Sequence, residues 1–240
     1  MCEPVSVARH AISKLNIKKG ENLLISGAGP IGILAGQWAK AFGAENVYYF
    51  DVDPRKIDFC KKQGFLQYEK SVHIQCVLEG TGYADALSKC LEAIEPAGRM
   101  VLMGNPATEV CLSQNTYWHI LRKELTVYGT WNSSYNSRQN DWAESLKAMA
   151  DGLIDTKPLI THTFPLADCN KAFEMMKNMD NRGKVVNVAF AVSAAFVFGD
   201  HLGFTAGFAP EMLPAVIVGK LAGGVSAVVV ALLLTRKEKV

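Results

Sequence analysis

A short apolar run, Asn22 to Ser26 (NLLIS), leads into GAGPIG and then into a helical pattern, so that Gly27, Gly29 and Gly32 are spaced G-x-G-x-x-G. No other feature limits the fold so tightly. A run this short and apolar reads as a strand buried on both faces. The glycines then have separate steric tasks: Gly27 permits the tight turn, Gly29 lets backbone approach a pyrophosphate, and Gly32 lets helix and strand pack closely. Pro30 and Ile31 open the helix, whose first amides and positive dipole end suit phosphate oxygens. Asp51 closes the next strand 24 residues after Gly27. A carboxylate there can accept hydrogen bonds from both adenosine ribose hydroxyls and repels a 2′-phosphate. NAD is therefore expected over NADP, with Arg55 the nearby cofactor contact that would suit the extra phosphate.

The rest of the chain up to about Phe190 supports that reading. A first helix is expected from Pro4 to Leu15 and a second from Ile31 to Phe42. NVYYFDVD, IQCVLEGTG, GRMVLMG and LTVYGTW read as strands. PRKIDFCKKQG, YADALSKCLEAI, TYWHILRKE and NDWAESLKAMADG read as helices between or after them. Such alternation argues an α/β fold with a doubly wound parallel sheet of Rossmann type. Glu79, Gly80 and Thr81 end one strand at the carboxyl edge, where open α/β sheets bind ligands; a plain turn reads equally well there. One stretch resists the pattern. Only FLQYEKSVHIQCVL lies between Gly64 and Glu79, too little for a helical crossover of a dozen residues. The expectation is a third strand lost or misplaced, with the adenosine side of the pocket left open.

Composition narrows the class further. A net charge of +2 without a basic stripe argues against nucleic acid as a partner. The six cysteines are scattered without a C-x-x-C pair, and the five histidines show no ligand spacing, which fits reduced thiols in a cytoplasmic setting. The N-terminus lacks the cationic and apolar regions of a signal peptide.

EPVSVARHA, GAGPIG, DVDPRK, EGTG, MGNP and NTYWHILRKELTVYGTWNSS together resemble the zinc-dependent medium-chain dehydrogenases, and within them the polyol branch of sorbitol and galactitol-1-phosphate dehydrogenases. The resemblance implies NAD as hydride acceptor, a zinc ion that polarises the substrate hydroxyl, and a sugar alcohol or its phosphate as substrate. It adds Gly104 to the cofactor contacts and places Trp131 and Asn132 at the nicotinamide lip, where an ordinary loop aromatic and turn residue read as well. It makes Glu3 the glutamate near the metal, where an exposed acid at a helix start reads as well. One carboxylate cannot hold a zinc that wants three protein ligands, so zinc is not expected to be retained and catalysis by this chain alone is doubtful; a non-catalytic nucleotide-binding module is the alternative reading. A homo-oligomer is a further expectation.

Beyond Ala191 charge almost disappears: up to Thr235 only Asp200, Glu211 and Lys220 are charged. Residues 212–234 are about the 20 that a helix needs to cross a bilayer, and Gly219 and Gly223 supply small residues four apart. GKVVNVAFAVSAAFVFGDHLGFTAG and VIVGKLAGGVSAVV resemble the C-terminal end of the ethanolamine utilisation permease. Asp200 and His201 would be functional candidates in that protein; here a short polar turn is preferred. The chain thus reads as a chimera: an NAD-binding Rossmann domain over 1–178, without its catalytic zinc domain, and an apolar, membrane-like helical tail over 179–240. The tail is expected to associate with, or insert into, a membrane through 212–234.

Overall fold

The computed structural model describes residues 1–164 and 168–177. The expected tail over 179–240, with Asp200, His201 and the 212–234 span, lies outside the described residues. Among those described, no helix is long and apolar enough to cross a membrane. The chain divides into two compact units. One holds Pro4–Pro158 and the whole sheet; the other holds Met1–Glu3 and, of the described residues, those from Leu159 onward, including α7 (Cys169–Lys177).

In chain order the elements of the larger unit begin with α1 (Cys2–Ser13, its first two residues in the smaller unit), β1 (Asn22–Ser26), α2 (Pro30–Ala41), β2 (Asn46–Phe50), α3 (Pro54–Lys62) and β3 (Leu66–Gln67). There follow β4 (Ile74–Glu79), α4 (Ala84–Ala93), β5 (Ile94–Leu102), α5 (Gln114–Arg122), β6 (Thr126–Gly129) and α6 (Asp141–Ala150). The six strands pair in parallel in the order β3-β2-β1-β4-β5-β6. That is the doubly wound order, with its switch point between β1 and β4. Strand alternation sorts the core into two layers. Tyr49 of β2 lies under α2, its hydroxyl donating to the Gly32 carbonyl at 2.9 Å. Leu24, Val77 and Met100 on the other face pack with Cys90 and Leu91 of α4.

Helix α2 can sit this low on the sheet only because it lacks side chains where it touches. A Cβ on Gly32 would lie 2.1 Å from the Gly27 carbonyl oxygen, and one on Gly36 would lie 2.0 Å from the Tyr49 hydroxyl. Neither oxygen has room to give way in a close-packed interior. Gly36 matters as much as the glycines of the turn, although its spacing alone carried no such signal.

The third strand corrects the sequence-based expectation. β3 is present at the sheet edge, Leu66 level with Tyr48 and Gln67 with Tyr49. The registers carry Gln67 through Tyr49 and Ile25 to the level of Leu78, four residues beyond the start of β4 at Ile74. The return along the strand is thus about 13 Å and the sideways shift about 14 Å. These displacements are perpendicular, so the straight path is about 19 Å, whereas seven Cα steps reach about 24 Å. The segment is too short for a helical crossover but long enough for this direct one. The crossing runs without a helix, and Tyr68 and Val72 pack on the α4 face instead.

Candidate functional site

At the carboxyl ends of β1, β2, β4 and β5 an open cleft of about 1490 Å³ runs past the glycine turn. Its shape begins with Gly27, whose φ of +97° suits a residue without a Cβ. The Gly27 amide donates to the Phe50 carbonyl at 3.0 Å, which ties the turn to the end of β2. Gly29 caps α2 and Pro30 begins it. The first helical hydrogen bond runs from the Ile33 amide to the Gly29 carbonyl at 2.9 Å. The amides of Ile31 and Gly32 precede it and line the cleft, so they are donors that the helix itself does not use. A Cβ on Gly29 would meet nothing within 4 Å, so backbone here is open to a close approach.

Asp51 lies beside this turn and lines the same cleft. One carboxylate oxygen accepts from the Ala28 amide at 2.8 Å and the other from the Asp53 amide at 2.9 Å. The acid therefore braces the turn besides facing the cleft, which the sequence did not reveal. A carboxylate has about four acceptor positions, so two remain for hydroxyl donors. Lys56 Nζ stands 3.7 Å from Asp51 and also lines the cleft; no motif had pointed to it. Arg55, the expected contact, instead forms a fork with Asp53, Nε to one oxygen at 3.0 Å and Nη2 to the other at 2.9 Å. It is not among the residues lining the cleft.

The other candidates divide. Gly80, Thr81, Gly104, Trp131 and Asn132 line the cleft. Glu79 is buried and turned inward, accepting from the amides of Thr81 at 2.7 Å and Gly82 at 3.1 Å. It anchors the loop after β4, and the Gly104 amide ties the loop after β5 to its carbonyl at 3.0 Å. Trp131 is 73% exposed, and Asn132 has a φ of +52°. Glu3 sits in the first turn of α1, where burial pushes its carboxyl up to about 7 against the pull of the amino terminus. Among the described residues no three His, Cys, Asp or Glu side chains are grouped to hold a metal ion. The described residues fit a dinucleotide and do not fit a catalytic zinc.

The profile described as zinc-binding dehydrogenase matches residues 30–151, about half of the chain and the whole of the cleft-bearing sheet beyond β1. The chain belongs to the zinc-binding dehydrogenase family. Among curated members of this kind, L-idonate 5-dehydrogenase of Vitis vinifera is 28% identical over 207 residues, spanning 78% of this chain and 54% of that protein. Galactitol 1-phosphate 5-dehydrogenase of Escherichia coli K12 is 30% identical over 176 residues, spanning 67% of this chain and 51% of that protein. The chain therefore spans about half the length of these dehydrogenases. The crystal structure of galactitol-1-phosphate dehydrogenase from Escherichia coli superposes with a TM-score of 0.64 at 27% identity, over 71% of this chain and 54% of that one. A second profile, ethanolamine utilisation protein EutH, matches residues 146–234. The probable ethanolamine permease EutH of Listeria monocytogenes is 60% identical over 72 residues, 30% of this chain and 19% of that protein. The dehydrogenase family and the permease thus both match this one chain, their matches overlapping at residues 146–151.

Proposed function

We propose that residues 1–178 are the cofactor-binding part of an NAD-dependent, zinc-type polyol dehydrogenase, with a sugar alcohol or its phosphate as the substrate class. The observation that carries this reading is that the Gly27–Gly32 turn and Asp51, which is hydrogen-bonded to the turn at Ala28, line one cleft. The relatives named for polyol oxidation support the substrate class. Bound in the cleft, NAD supplies the acceptor for a hydride leaving an alcohol carbon. The amides of Ile31 and Gly32 hold the diphosphate, and Asp51 accepts from the ribose hydroxyls. Trp131 and Asn132 are assigned to the nicotinamide end. Activation of the substrate hydroxyl is not assigned to this chain, because the described residues gather no zinc ligands. Polyol oxidation is accordingly not expected from the chain alone.

Titration of NADH fluorescence tests the reading. Saturable enhancement is expected, with NADP competing at least about 10-fold less well than NAD, because a 2′-phosphate would lose the ribose bond and meet the Asp51 charge. Equal competition by both would remove Asp51 from the role given to it.

A second identity is favoured by the match of residues 146–234 to EutH. We infer a composite chain, a dehydrogenase segment followed by a membrane-protein segment. Its expected behaviour is retention of the full chain in the membrane pellet after carbonate extraction, while a chain ending at 178 is released. Release of both would remove the membrane assignment.

A further inference from the structure

Asn132 holds a left-handed backbone, at φ +52°, although it carries a side chain. Such a conformation is unfavourable for a residue with a Cβ and persists where the surroundings impose it. Thr130, Trp131 and Asn132 form one lip of the cleft. Trp131 stands largely in solvent, so packing of its own ring does not place it. The restraint comes from the residues that follow. The Ser133 hydroxyl accepts from Trp142 Nε1 at 3.0 Å. The Ser134 amide donates to Oδ2 of Asp141 at 2.7 Å, and the Ser134 carbonyl accepts from the Asp141 amide at 3.0 Å. Between these two residues the chain closes on itself, Tyr135 pairing with Asn140 and the Asn136 amide donating to the Gln139 carbonyl at 2.8 Å. Asp141 thus sits at the base of a closed loop whose other side runs into the lip.

A carboxylate offers about four acceptor positions, and the partners of Asp141 occupy them all. Arg9 and Gln139 donate to Oδ1, while His10 Nδ1 and the Ser134 amide lie within 2.9 Å of Oδ2. Asp141 is fully buried, so it has neither room nor a lone pair for a ligand. Arg9 and His10 belong to α1, whose Val7 lines the same cleft. Arg9 is steadied in turn by Trp38 of α2, its Cζ 5.7 Å from the ring centroid. The base of the loop is therefore fixed to the helices that cover the sheet. We infer that Asp141 is a positioning residue, which, anchored by Arg9 and His10, acts through Ser134 to hold Trp131 and Asn132 in place for the nicotinamide end of the cofactor. The inference rests on the proposed NAD reading of the cleft. It goes beyond that reading by naming the group that sets the lip.

Calorimetric titration of the full chain with NADH and, separately, with ADP-ribose tests the role, because ADP-ribose lacks only the nicotinamide ring. The unmutated chain should bind NADH more tightly than ADP-ribose. Asp141→Asn keeps the size of the side chain; it should weaken NADH about 5- to 20-fold and leave ADP-ribose within about twofold. A general loosening of the fold would weaken both ligands alike. Trp131→Ala alters an exposed side chain and should reproduce the selective loss. The combined variant should bind NADH within about twofold of the weaker single variant, because both changes act on one contact. His10→Ala removes a single donor and should cost NADH alone about 3- to 5-fold. His10→Asn, whose amide nitrogen reaches the place of Nδ1, should recover the affinity to within about twofold. The two His10 variants carry the test if Asp141→Asn does not fold. Equal losses for the two ligands, an unchanged NADH affinity, or losses that multiply in the combined variant would overturn the inference and leave the NAD reading standing. An unmutated chain that bound neither ligand would remove the NAD reading, and the inference with it.

Discussion

Replacing Asp51 with Ala is expected to weaken NADH binding by about 10- to 100-fold. Hydrogen bonds to a charged acceptor are worth about 1.5–3 kcal/mol, and this acid is the group on the cleft proposed to accept from ribose hydroxyls. The loss has a second source. Asp51 accepts from the amides of Ala28 and Asp53, so its removal strips two backbone donors of their partner and loosens the turn proposed to receive the diphosphate. Asp51→Asn separates the two contributions. Its one amide oxygen can keep one of the two backbone donors, which bind different oxygens of the acid, and it lacks the charge that discriminates against a 2′-phosphate. Its NADH affinity should fall between those of the parent and the Ala variant, and its preference for NAD over NADP should shrink. Fluorescence titration reads both quantities, and thermal unfolding shows whether the fold persists. An Ala variant that bound NADH as the parent does would remove Asp51 from the site.

The largest effect on stability is expected at Asp141. Its carboxylate is fully buried between α1 and the start of α6. Arg9 donates to one oxygen, and His10 Nδ1 lies 2.9 Å from the other. Gln139 Nε2 donates at 2.9 Å and the Ser134 amide at 2.7 Å. Burial by itself would raise the carboxyl; the hydrogen bonds from His10, Gln139, Ser134 and Arg9 together outweigh it and bring it down to about 2. Breaking such a buried pair by removing one partner costs about 3–5 kcal/mol, because the Arg9 guanidinium is left without its counter-charge. Asp141→Ala should lose that much in urea unfolding at pH 7, and a loss below about 1 kcal/mol would contradict the argument. The pH dependence has a definite sign. Because folding lowers this carboxyl from its usual range near 4, its contribution is fully present above about pH 4, is drawn down as the pH falls, and is gone below about pH 2. A drop of that size corresponds to on the order of 2–3 kcal/mol. The stability difference between the parent and Asp141→Asn should therefore narrow between pH 4 and pH 2.

The sheet and its helices were legible because their signals are local. NLLIS, NVYYF and IQCVLE are apolar runs at strand length, and each observed strand among them begins or ends within a few residues of its expected place. Pro54 opened α3 as expected, with Asp53 capping it through the Arg55 amide at 2.9 Å. The helix before Thr126 was expected from Thr116 and begins at Gln114, since Ser113 accepts from the Thr116 amide and so marks the start. The crossing after β3 is not legible in the sequence. Its feasibility depends on the angle between two displacements, and a sequence records only the length of chain available.

The amino-acid order by itself determined the doubly wound class and the glycine turn, because both rest on steric and hydrophobic demands made by neighbours in the chain. It also placed an acid at the end of the second strand. Only the tertiary structure decided what that acid touches, that Arg55 turns to Asp53 while Lys56 faces the cleft, and that Glu79 anchors a loop. It alone brought Arg9 and His10 to Asp141 across more than 130 residues. These contacts depend on which of several equally polar groups folding carries within about 3 Å of one another, and hydrogen bonding at that range is set by position in space, which no local pattern encodes.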